Sequence, residues 1–133
     1  MKLNPECYRA VLLYLEENIE VKYNGSPCSI NAKDFDFDGI LKPFSQEDIY
    51  YSVKYLTDEK LISVVTTQNL SPKQYNISDI TPKGHRFIND VRSDTIWNKI
   101  VKVSKKLGVS SLGSIQEIAI QLIALIIKEN LNI

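Results

Sequence analysis

The middle of the chain, residues 45–80, constrains the fold most. Ile49, Val53 and Leu56 recur at helical spacing behind Ser45, a residue whose hydroxyl accepts from the first free backbone N–H groups of a helix. Asp48 stands where a capping-box partner belongs. Glu47, Tyr51, Lys54, Tyr55 and Asp58 fall on the opposite side of the same helix. Leu61–Thr67 is rich in β-branched residues and reads as a strand, Gln68–Pro72 as a loop, and Gln74–Ile80 as the returning strand. Helix, strand, loop, strand in this order is the pattern of a winged helix, the loop forming the wing.

The flanking segments fit that core. Asn4 and Pro5 suit the cap and first position of an opening helix. It is closed by a Leu3–Tyr8 staple, buries Val11, Leu12, Leu15 and Ile19, and fades near Asn18. Asn24–Pro27 reads as a turn and Ser29–Ala32 as a short strand. Phe35 and Phe37, alternating with Asp34, Asp36 and Asp38, read as a strand with one apolar face. Thr81 and Pro82 open a third helix running to about Val91, with Phe87, Ile88 and Val91 inward. Thr95–Leu107 is helical and expected to bury Ile96, Trp97, Ile100, Val101, Val103, Ser104 and Leu107 before Gly108 ends it. Whether 82–107 is one bent helix or two stays open. Ser114 and Glu117 form a capping box for a last helix so rich in Ile and Leu that most of its circumference is expected to be buried. The expected class is α+β: a winged helix-turn-helix-like domain over 1–92 with a small antiparallel hairpin wing. Extra C-terminal helices over 93–133 form an oligomerisation element.

Composition narrows the chemistry. The chain has 133 residues, enough for one domain with its own core. Lys plus Arg and Asp plus Glu are both 16, a balance that argues against a protein whose main work is gripping phosphate. Cys7, Cys28 and His85 would all have to converge to hold zinc; reduced thiols in a cytoplasmic protein are the expectation. Residues 1–20 lack the apolar run of a secretory signal. Ile118–Ile127, interrupted by Gln121, is shorter than the ~20 residues a bilayer span needs. Asp34, Asp36, Asp38 and Gly39 match the start of a calcium loop, but Ser45 stands where its bidentate Glu belongs. There is no phosphate-binding glycine loop, and lone His85 has no nucleophile beside it. The expectation is a protein without metal, cofactor or catalytic residues.

Two surfaces remain as candidates. Tyr50, Tyr51, Lys54, Tyr55 and Lys73, with Lys99, Lys102 and Lys106 on flanking phosphates, are candidate contacts to double-stranded DNA or a host protein. Against DNA, Lys54 and Lys60 on the second helix are outnumbered by Glu47, Asp48, Asp58 and Glu59. Ile115, Ile118, Leu122, Ile123, Leu125 and Ile126 are the candidate interface of a homodimer.

The stretches MKLNPECYRAVLLYLEEN, FSQEDIYYSVKYLTDEKLI and DITPKGHRFINDVRSDTIWNKI resemble a bacterial and prophage-associated family known as domain of unknown function 2513. The resemblance covers most of residues 1–107, and TPKGHRF-x4-VR-x4-W is its most specific part. It implies a winged-helix-like fold and residence in phage or mobile elements, and it brings no catalytic residues. Two functions follow as expectations: a DNA-binding regulator, or an interaction factor that adapts or inhibits a host protein.

Overall fold

The computed structural model describes residues 2–132. Helix α1 (Pro5–Asn18) starts on the expected cap: Asn4 Oδ1 accepts from the backbone N–H groups of Glu6 (3.1 Å) and Cys7 (3.4 Å). Strand β1 follows at Ile30–Asn31. The segment after it does not form the expected strand. Ala32–Asp34 is a 3-10 turn, and Asp36 Oδ1 accepts from Asp38 N at 3.0 Å. That local bond curls the chain and competes with strand pairing. Phe35 packs on Tyr14 instead, with ring centroids 4.9 Å apart.

Helix α2 (Gln46–Asp58) opens on Ser45, whose hydroxyl accepts from Asp48 N at 3.1 Å. It buries Ile49, Ser52, Val53 and Leu56. It ends with Leu61 N donating to Leu56 O (2.9 Å) and Lys60 N to Thr57 O (3.1 Å), Lys60 taking the left-handed φ of 63° usually left to glycine. Strands β2 (Ile62–Val64) and β3 (Asn76–Ile80) complete a three-stranded antiparallel sheet ordered β1-β3-β2. Ile62 pairs with Ile80 and Val64 with Ile77, with a bulge between Ser63 and Val64. The bulge and the 3-10 turn at Pro72–Gln74 end regular pairing well before Thr67.

Residues 82–107 form two helices, α3 (Pro82–Val91) and α4 (Asp94–Leu107). The break has a physical cause far away in sequence. Arg9 donates to the carbonyls of Val91 (2.8 Å) and Arg92 (3.0 Å), acceptors that a continuous helix would have used itself. Ser93 caps the new helix through Ile96 N. Gly108, at φ 72°, ends it, with Val109 N donating to Ser104 O at 3.0 Å.

Helix α5 (Leu112–Leu131) starts three residues earlier than expected, because Ser111 rather than Ser114 supplies the cap. An earlier start carries Leu112 into the core. One continuous set of buried side chains runs from Cys7 to Ala119, with contributions from all five helices. The expectation that α5 is buried on most of its circumference fails: it buries only Leu112, Ile115 and Ala119. With 20 residues against 14, it overhangs α4 by about 9 Å. Ile120, Leu125, Ile127 and Leu131 are exposed. Val103 and Leu107, expected inside, are exposed too, since among the described residues nothing covers that side of α4.

Candidate functional site

The outer face of α2 carries an aromatic patch. Tyr51 and Tyr55 lie one turn apart, their rings edge-on with centroids 4.8 Å apart. The Tyr51 hydroxyl donates to that of Tyr55 at 3.3 Å. That hydrogen bond raises the Tyr51 phenol above its ordinary range, so its hydroxyl is neutral at physiological pH. Lys54 lies 4.9 Å over the Tyr55 ring and pairs with Asp58 Oδ2 at 2.8 Å. The hydrogen bond to Asp58 is the main reason its ammonium is held above the usual lysine value. Tyr50 turns toward Phe37, edge-on at 6.1 Å, and burial raises its phenol. Lys73 sits in the 3-10 turn that packs on α2.

Tyr51, Lys54 and Tyr55 therefore share one patch, and Lys73 lies exposed on the adjoining turn. Lys99, Lys102 and Lys106 lie exposed on α4, which packs chiefly against α3 and α5. Of the residues expected at a dimer interface, Ile115 has no exposed surface and belongs to the protomer's own core. Ile118, Leu122, Ile123 and Ile126 are half-buried and Leu125 is exposed. Sequence reasoning passed over the exposed Val103, Leu107, Ile120, Ile127 and Leu131. The signal for them was their apolar character, which at Val103 and Leu107 reads as core.

The residues of the TPKGHRF-x4-VR-x4-W stretch form a structural corner. Thr81 Oγ1 accepts from Gly84 N and donates to Lys60 O at 2.6 Å. A Cβ on Gly84 would lie 2.1 Å from Leu61 O, so only glycine fits there. Trp97 Nε1 donates to Glu6 Oε2 at 2.9 Å, and the Arg9 guanidinium lies 5.1 Å from the Trp97 ring centroid. Arg92 pairs with both carboxylate oxygens of Glu16, and that hydrogen bond holds the Glu16 carboxyl below its ordinary value. His85 is exposed in the first turns of α3. A groove of about 350 Å³ between α3 and α5 includes Lys83, Arg86, Asp90 and Glu117 but not His85. Burial raises the Asp90 carboxyl and pushes the Cys7 thiol up to about 11. Among the described residues, no three His, Cys, Asp or Glu side chains converge as metal ligands, and no helix is long and apolar enough to cross a membrane. Asp34, Asp36 and Asp38 are all exposed.

Among the described residues, five helices around a small three-stranded antiparallel sheet make an α+β fold. The chain belongs to the family described as hypothetical protein (DUF2513), whose model matches residues 2–110. It is also similar to an uncharacterized protein of Haemophilus influenzae (strain ATCC 51907 / DSM 11121 / KW20 / Rd), with 27% identity over 120 residues, 90% of this chain and 92% of that one. No solved structure matches the chain.

Proposed function

We propose that the chain is a non-catalytic winged-helix binding module whose working face is the outer side of α2, and that its partner is a protein. The strand order β1-β3-β2 with α2 leading into β2 supports the winged-helix reading. The choice of partner rests on one observation: Lys54, the cation of the face, is already engaged by Asp58 on the same helix. What the face offers is two edge-on phenols rimmed by charge. Tyrosine is enriched where proteins meet, because it combines a large apolar ring with a hydroxyl at modest entropic cost. Duplex DNA would instead meet carboxylates at Glu47, Asp58 and Glu59, and few counterions would be released.

The second reading, a DNA-binding regulator, draws on Lys73 beside α2 and on the position of α2 itself, which corresponds to a helix that enters the major groove. Two measurements separate the readings. Anisotropy with labelled random duplexes at low salt is expected to stay flat, for the native chain and for Lys54→Glu. Affinity capture from bacterial lysate is expected to yield a partner that Tyr51→Ala/Tyr55→Ala fails to retain while its thermal midpoint is nearly unchanged. Duplex binding that strengthens as salt falls and disappears in Lys54→Glu would move the face to DNA.

A further inference from the structure

Helices α4 and α5 are joined by only four residues, 108–111, and fold back on each other as an antiparallel hairpin. On the outer side of this hairpin runs an open groove of about 340 Å³. Val103, Leu107, Ile118, Leu122 and Leu125 line it, with Glu117 and Gln121 at the rim. Leu107 is 64% exposed and Leu125 58%, too much apolar surface in one place for a free monomer face. Leu125 is thus both a wall of the groove and a protruding side chain able to fill one.

We propose that the α4–α5 hairpins of two copies of this chain pack as an antiparallel, two-fold four-helix bundle. Leu125 of each copy seats in the groove of the other. The proposal is independent of what the α2 face binds.

Of the three charges on α5, Glu117, Lys128 and Glu129, the first two select a second copy and fix its direction, Glu129 lying on another line of the helix. Glu117 and Lys128 are both exposed, about three helical turns apart on nearly the same line of the helix. A two-fold axis beside Leu122 sets Ile118 opposite the partner's Leu125, and the same arrangement brings Glu117 within about 3 Å, along the axis, of the level of the partner's Lys128. Both are long side chains, so the mismatch is easily spanned, and symmetry makes the pair twice. A parallel arrangement would place Glu117 on Glu117 and Lys128 on Lys128. Self-complementarity of this kind is what an isologous interface requires, and two antiparallel hairpins meeting along apolar stripes are an ordinary route to a four-helix bundle. The size also fits: a two-helix face about 21 Å long and about 20 Å wide, which α5 extends by about 9 Å, is on the scale of the ~800 Å² per partner of a standard interface. The rival occupant is an anionic membrane surface, toward which Lys99, Lys102 and Lys106 recur at helical spacing around Val103. Glu117 on the groove rim disfavours it.

Light scattering on the full chain is expected to give twice the 15.2 kDa protomer mass at micromolar concentration, and Leu125→Glu is expected to give a folded monomer by circular dichroism. Glu117→Lys and Lys128→Glu are each expected to weaken dimerisation at least tenfold, and the double variant Glu117→Lys/Lys128→Glu to restore it. A native chain that is monomeric at these concentrations overturns the proposal, whether or not it sediments with phosphatidylserine-containing vesicles. So does a dimer that survives Leu125→Glu, or a double charge reversal that stays as weak as its singles.

Discussion

At the corner between α3 and α4, Arg9 gives its guanidinium protons to the carbonyls of Val91 and Arg92 and to Asp94. On the outer face of α2, Lys54 has Asp58, four residues further along its own helix. Both regions combine a cation, a carboxylate and an aromatic ring. They differ in reach. The Arg9 bonds join positions 82 to 85 residues apart and close α1 onto α3 and α4, whereas the α2 bonds would exist in an isolated helix. Long-range polar contacts made by a largely buried guanidinium specify a fold; a local, solvent-facing pair adds little to it and leaves its side chains free for a partner. The family-specific residues of the corner accordingly act as joinery.

Three substitutions probe that contrast. Gly84→Ala should have the largest effect. Its methyl would overlap the Leu61 carbonyl, and a loss on the order of 3–5 kcal/mol is expected in chemical denaturation. An unchanged midpoint would mean that the α3–β2 contact is looser than described. Arg9→Met should come next, with a loss of about 2–3 kcal/mol, because two helix-end carbonyls lose a charged donor and Trp97 loses its cation. Loss no greater than for Lys54→Met would erase the distinction between the regions. Arg92→Met should have the smallest effect, and its pH course is the readout. Glu16 is held below its ordinary value of 4.5 by Arg92. The stabilisation it contributes is therefore complete above that pH and is lost as pH falls through the lower folded value. The native and variant thermal midpoints should differ by a few degrees at most near neutrality and converge on acidification below about pH 4.5. A gap independent of pH would assign the effect to packing.

Much of the framework was legible because helix starts and stops are decided locally. Asn4 with Pro5, Ser45, Thr81 with Pro82, and Gly108 each act within a turn of their own position. The α2 face was legible for the same reason, since helical spacing alone separates Ile49, Val53 and Leu56 from Tyr51, Lys54 and Tyr55. What escaped depends on distant or competing partners. The break after Val91 is caused by Arg9. Phe35 and Phe37 alternate like a strand, but Asp36 offers the backbone a closer bond. Ser111 and Ser114 both suit a cap, and the burial of Leu112 favours the first. Val103 and Leu107 carry an apolar signal, yet among the described residues nothing covers them.

The family match ends at residue 110, two positions before Leu112. Leu112, Ile115 and Ala119 nevertheless plug the protomer's interior, with α5 lying across α3 and α4. The stretch matched by the family model is thus shorter than the unit of folding in this chain, while the match to the Haemophilus influenzae protein, over 90% of the chain, reaches into α5. Without α5 the same face of α3 and α4 would stand open to water.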